Sequence, residues 1–226
     1  SPHGTHLHQL SDGRWRYAVV NHGGREAVEL FELTSLQQPQ LQWRGCVSPT
    51  ENTIMNDVVG LANGDLVYTR MFPADDSMAM IKSFVGLNTG EVWRWSGESG
   101  LKALPETEGA MPNGIEISAD ERHVFINRYM NQEVHKYDFE RMKVVGSAAV
   151  PNVDNSAWSP DGKLWLASHV AGIGDTMACF ESQPATCGAE FEIVALDPET
   201  MEVEMVFQHQ GAPMGAAPVA VAAGDK

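Results

Sequence analysis

The residues best suited to chemistry in this sequence recur at one position. Thr5, Asn56, Asn113 and Asp154 each stand eight residues ahead of a turn residue (Gly13, Gly64, Glu121 and Gly162) that closes a short apolar run. Asn155 follows directly on Asp154, and Asp57 on Asn56. Three of the four positions carry an amide or carboxylate oxygen, within the strings IMNDVV, MPNGIEIS and NVDNSAWS. Oxygen donors with no thiolate among them suit a hard cation. Calcium accepts about 6–8 oxygens at about 2.3–2.6 Å and tolerates irregular geometry, whereas zinc favours His and Cys in a tetrahedron. The same residue types also form turns and strand caps, and Asn113-Gly114 is a common turn dipeptide. Their shared position in successive repeats favours the ligand role.

The histidines divide by place. His3 and His22 flank the first strand–turn–strand unit, at opposite ends in sequence and at one edge in space. Two neighbouring imidazoles near a metal can share proton work, one taking a proton from water and the other relaying it. His6 and His8 are two residues apart on a strand and so face the same side. The run HGTHLH is also compatible with a zinc cluster, although alternate strand histidines are more often packing or surface residues. His169 ends its strand as His22 does and is a candidate pocket-wall residue. His123, His135 and His209 occupy strand or strand-end positions with no special role. No GxSxG elbow, HExxH, Walker loop or GxGxxG is present. A hydrolase built on this sequence would use metal-assisted water or a His base in place of a serine nucleophile.

The elements that must position these residues repeat. Polar turns at Ser11-Asp12-Gly13, Asn63-Gly64-Asp65, Ala119-Asp120-Glu121, Pro160-Asp161-Gly162 and Ala223-Gly224-Asp225 each follow a strand-like run: THLHQL, DVVGLA, GIEIS, SAWS and PVAVA. After the first four comes a second run: WRYAVV, LVYTRMF, HVFINRY and LWLASHV. Such pairs read as β-hairpins. A second hairpin completes each unit, with inner halves VELFEL, FVGL, EVHKYD and FEIVALD and outer halves LQWRGC, EVWRW, MKVVGS and EVEMVF. Four strands recurring at roughly 40–60 residues is the signature of propeller blades. No amphipathic helix is expected to interrupt them. The fold class is therefore all-β, a β-propeller of four full blades and the start of a fifth. Because the fifth unit stops at its first turn, the chain is expected to be a segment of a longer propeller, with residues 1–226 forming one domain.

The bulk composition agrees. A 226-residue chain with 43% hydrophobic residues can bury one sizeable core. The formal charge of −15 disfavours nucleic acid as a partner and suits cation binding. No run approaches the ~18 apolar residues of a membrane span. Cys179 and Cys187 bracket a loop short enough for a disulfide to close. A bridge there would imply a periplasmic or secreted protein, and two unpaired thiols fit the spacing equally well.

The strings PHG (His3), VVNHGGREAVELFEL (His22), MNDVVGL, PNGIEISADERHVFINRYMNQEVHKYD and VDNSAWSPDGKLWLASH resemble successive segments of the paraoxonase (arylesterase/lactonase) family. The NGI-x-hS-x-D pattern is shared with the wider gluconolactonase and strictosidine-synthase-like propellers, and the pairing of PHG with VVNH points to paraoxonases. The resemblance implies a six-bladed propeller holding two calcium ions in its channel. It implies that Asn56, Asn113, Asp154 and Asn155 hold a catalytic calcium. By the same resemblance Asp57 holds a deeper structural one, Thr5 offers a backbone carbonyl, and His3 and His22 form a catalytic dyad. A Glu-Asp pair that the family draws from an earlier blade has no counterpart here. The implied activity is hydrolysis of a lactone or aryl ester. The rival reading is a catalytically silent propeller serving as an interaction scaffold, which would need neither the oxygen ring nor the dyad.

Overall fold

In each of the four units a residue with positive φ turns the chain: Gly13 (88°), Gly64 (92°), Glu121 (57°) and Gly162 (83°). The N–H of each returns to the carbonyl three residues back, on Leu10, Leu61, Ser118 and Ser159, at 2.8–3.0 Å. Three of the four are glycine because the left-handed region costs other residues more. The computed structural model describes residues 1–35, 37–172, 174, 175 and 188–223.

The turns organise four antiparallel sheets of four strands. The first is β1 (Pro2–Gln9), β2 (Trp15–Asn21), β3 (Ala27–Leu33) and β4 (Leu41–Val47). The second is β5 (Thr53–Gly60), β6 (Leu66–Pro73), β7 (Glu91–Ser96) and β8 (Gly100–Ala103). The third is β9 (Pro112–Ile117), β10 (His123–Arg128), β11 (Glu133–Asp138) and β12 (Lys143–Ala149). The fourth is β13 (Val153–Trp158), β14 (Leu164–His169), β15 (Phe191–Leu196) and β16 (Val203–His209). Strands pair in sequence order within each sheet, and the first strands pack side by side, β1 on β5, β5 on β9 and β9 on β13. This is the arrangement of propeller blades around an axis.

The core lies in the seams between blades. Alternation along a strand sends Leu66 and Tyr68 into the seam with the first blade and Val67 into the seam with the third. Phe125, Val153, Leu164 and Leu196 fill the seam between the third and fourth. A sheet covered on both faces reads as an unbroken apolar run, which explains strings such as DVVGLA.

Two expectations are corrected. FVGL is not a strand: residues Ala79–Phe84 form a short helix, α1, and β7 and β8 make the second hairpin of that blade. Asp76 accepts the Met78 N–H at 3.0 Å, while Ser83 Oγ donates to the Ala79 carbonyl at 2.9 Å. With only Ala79 and Ser83 buried, one helical turn leaves little periodicity to detect. The run PVAVA forms no strand either. It still lies beside the fourth blade, where the Asn155 N–H donates to the Pro218 carbonyl at 3.1 Å and Ala220 packs on the Ala167–Phe191–Ile193 cluster. Cys179, Cys187 and the end of the fifth turn lie outside the described residues; Cys46 is free and exposed. Among the described residues no helix is long and apolar enough to cross a membrane.

Candidate functional site

The first strand of every blade breaks its ladder at the same place. Pairing with the second strand shifts between Pro2 and Thr5, between Met55 and Val58, opposite Ile126–Arg128 on β9, and between Val153 and Ser156. The interrupted stretches contain His3 and Gly4, Asn56 and Asp57, Asn113 and Gly114, and Asp154 and Asn155. A regular strand alternates its side chains between two faces, whereas a bulge re-aims one of them. Consecutive residues such as Asn56-Asp57 can thereby both serve a site at the axis.

Glycines permit the approach of neighbouring inner strands. A Cβ on Gly114 would lie 2.5 Å from the Asp154 carbonyl oxygen and 2.8 Å from Asn155 Cα. One on Gly4 would lie 2.2 Å from Asp57 Oδ1 and 2.6 Å from the Asn56 carbonyl oxygen. The contacts are mainly with backbone, which cannot swing aside. Gly114→Ala is therefore expected to destabilise the protein by about 1–3 kcal/mol, the usual cost of overpacking, and to weaken cation binding as β9 is pushed from β13. Thermal melts with calcium titrations check this; unchanged values would mean that the strands have room.

Asn56, Asp57 and Asn113 are buried, at 3%, 8% and 5% exposure. Asp57 accepts N–H groups from Val58 at 2.8 Å and Ile115 at 3.1 Å. Thr69 Oγ1 donates to the Asn113 carbonyl and accepts the Asp57 N–H at 3.0 Å, tying the second blade to the third. Asn155 Nδ2 donates to Asp154 Oδ1 at 3.2 Å. Among the described residues, Oδ1 of Asn56, Asn113 and Asn127 are buried side-chain oxygens with no hydrogen-bond partner. An unsatisfied buried carbonyl costs about 1–3 kcal/mol. Burial also pushes Asp57 up to about 7 against its two N–H donors, and Asp154 up to about 7 against the Asn113 side chain. Burial and then the Asp57 charge push Glu116 up to about 8. Lone oxygens and desolvated carboxylates form a donor set that fits a hard cation. Among the described residues no three His, Cys, Asp or Glu groups converge as a metal cluster, so the set depends on amide oxygens. Thr5 occupies the equivalent place on β1 but is exposed, and it is Gly4 that touches Asp57.

His3 and His22 meet, with His22 Nε2 and His3 Nδ1 3.0 Å apart and ring centroids 5.0 Å apart. Burial, then the His22 charge, lowers the His3 pKa, with Glu26 opposing. Glu26 was not visible as a site residue in the sequence. Its carboxylate lies 2.8 Å from His22 Nδ1 and also accepts the N–H of Met55, beside Asn56, at 2.6 Å. His6 and His8 face the same side, stacked with centroids 5.4 Å apart, and His6 Nδ1 accepts the Gly60 N–H at 3.0 Å. They line the seam with the second blade, apart from the His3–His22 contact. Burial lowers both to about 4. His169 Nδ1 accepts from the Tyr129 hydroxyl at 3.0 Å, and its Nε2 lies 3.8 Å from Asp154 Oδ2, which puts it at the wall of the site. Asn127 was also missed: its Nδ2 donates to the Asp154 carbonyl at 2.7 Å.

The profile of a family described as Arylesterase matches residues 1–226. Strictosidine synthase of Catharanthus roseus is 26% identical over 165 residues, covering 70% of this chain and 44% of that protein. Among solved structures, a gluconolactonase from Xanthomonas campestris superposes with a TM-score of 0.53 at 17% identity, over 93% of this chain and 63% of that one. A luciferin-regenerating enzyme gives 0.51 at 15%, over 90% and 61%. At such identities these structures share the fold alone. The chain spans less than half of the curated relative it matches and under two thirds of these two structures.

Proposed function

This chain belongs to the arylesterase family, and from that premise we propose that it holds calcium in its channel and hydrolyses lactones or aryl esters with His3 and His22 as proton carriers. The observation that supports the reading most is a coincidence where the first two blades meet. Unpartnered amide oxygens and buried carboxylates stand beside a hydrogen-bonded imidazole pair, joined by the Glu26–Met55 contact. A silent scaffold needs neither group. Asn56, Asn113, Asp154 and Asn155 would hold one ion, and Asp57, with a carbonyl near Thr5, a second. Calcium, when bound, supplies positive charge for the oxyanion that develops on the attacked carbonyl. The chain's own residues supply the rest. The His pair takes the proton that water loses on attack and returns it to the leaving oxygen. His169 and Tyr129 wall the site next to Asp154.

Metal-free protein should lose stability as pH rises. Asp57, Asp154 and Glu116 have folded pKa values above the ordinary carboxylate value, so the protonated form favours folding. Their stabilisation is complete below about pH 4 and is lost as pH passes through about 7 and about 8. Histidines held neutral by burial act in the opposite sense only below about pH 6.5. Melts in chelator should therefore fall from pH 6.5 to about 8 and level off above it, with saturating calcium restoring Tm at the upper end. A flat profile in chelator would show that these carboxylates are not buried as described.

The reading is tested by assaying the protein against five- and six-membered lactones and aryl acetates with calcium present. Turnover above the uncatalysed rate supports it. Inactivity against the whole set would favour the scaffold.

A further inference from the structure

Glu26 reaches His22 because the chain reverses in the loop between β2 and β3. Gly24 there has φ 78°, and the next residue, Arg25, turns outward to pair with Glu29 at 2.7 Å. Glu26 is left to the imidazole, with Oε2 2.8 Å and Oε1 3.0 Å from His22 Nδ1. Oε1 is also fixed by the Met55 N–H, a donor from the strand that carries Asn56. The order along the contacts is Met55 N–H, Glu26, His22, His3.

This order has a direction. A carboxylate accepts hydrogen bonds and has no proton to give, so His22 must present Nδ1–H to it. In neutral imidazole the other nitrogen is then a lone pair. His22 Nε2 can only accept, and the group facing it at 3.0 Å is His3 Nδ1. His3 must carry its proton on Nδ1, which leaves the lone pair on Nε2. We infer that Glu26 is a positioning residue that fixes the tautomers of both rings and makes His3 Nε2 the free base. The inference rests on the dyad reading given above. In the attack step an O–H bond of water breaks, its electron pair stays on the oxygen that bonds the carbonyl carbon, the C=O π bond opens with its pair moving to the carbonyl oxygen, and the proton joins His3 Nε2. The His3 Nδ1 proton can then shift to His22 Nε2, leaving the positive charge on the ring that Glu26 contacts. The acceptor orients the imidazole much as a carboxylate does in a Ser-His-Asp triad.

The test reads tautomers directly. Two-bond 1H–15N correlation spectra of 15N-histidine-labelled protein distinguish Nδ1–H from Nε2–H rings. In the wild type both His3 and His22 should be Nδ1–H. Glu26→Gln keeps an acceptor for Met55 N–H but offers an amide that can donate or accept, so at least one ring should move toward Nε2–H. Turnover should fall about 10–100-fold, the range for groups that orient a functional side chain, with KM little changed. Finding either wild-type ring as Nε2–H, or unchanged tautomers in Glu26→Gln, would overturn the inference. The wild-type spectrum decides alone if the variant does not fold. It also decides independently of catalysis: an inactive protein with both rings Nδ1–H would sink the hydrolase reading and leave the role of Glu26 standing.

Discussion

Replacing His22 by glutamine should lower lactone or aryl-ester turnover by about 10²–10⁴-fold, the usual range for a lost proton-transfer group, because His3 then has no ring to pass its proton to, and should leave calcium affinity nearly intact. The expectation follows from the proposed division of labour, with which the contacts are consistent. The His22 ring touches His3 and Glu26, whereas the lone amide oxygens and carboxylates belong to Asn56, Asn113, Asp57 and Asp154. If hydroxide replaces the relay, the loss in His22→Gln is smaller and His3→Gln carries the larger one. The pH profile separates the cases. Burial and the neighbouring His22 hold the His3 pKa below its ordinary value. In wild type kcat/KM should therefore rise along a limb centred below about 6.5 and be flat by pH 8, and the limb should move or vanish in the variants. Full activity in both His3→Gln and His22→Gln would remove the dyad from the mechanism.

Truncating the oxygen ring has the complementary effect. Asn113→Ala and Asp154→Ala should each weaken calcium binding, measured by calorimetric titration, and should lower Tm when calcium is present. A ligand at about 100 times its Kd stabilises the native state by about 2.7 kcal/mol, so a variant whose affinity falls a hundredfold loses most of that. In chelator the expectation differs. Asp154→Ala removes a carboxylate that burial penalises, so its deficit relative to wild type should shrink or reverse. Unchanged calcium affinity in both variants would show that the shared position of these residues has another cause.

The blade pattern was legible because the turn at Gly13, Gly64, Glu121 and Gly162 needs a special residue and an apolar run before it, and both are written in local sequence. The error at FVGL has an equally local cause: a short apolar run does not distinguish a strand from a helix end and the turn after it, and α1, which ends at Phe84, buries only Ala79 and Ser83. The placing of Asn56, Asn113 and Asp154 in equivalent strand positions followed from counting. What counting could not supply was the break in pairing around each of them, since a bulge changes where a side chain points without changing its number. Thr5 shows the consequence: it satisfies the count, and the residue before it makes the close contact. Glu26 and Asn127 were missed for a different reason. One reaches its imidazole through a glycine turn, and the other crosses from β10 to the next blade, and neither contact has a period in the chain.

The most direct measurement is hydrolysis of one good lactone substrate across a series of buffered free-calcium concentrations, with Tm recorded on the same samples. Turnover and Tm should rise together, with half-activation where half of the thermal shift is gained, and both should vanish on chelation and return on adding calcium back. Turnover that persists undiminished in chelator, while Tm still responds to calcium, would place the ion outside the chemistry and contradict the account.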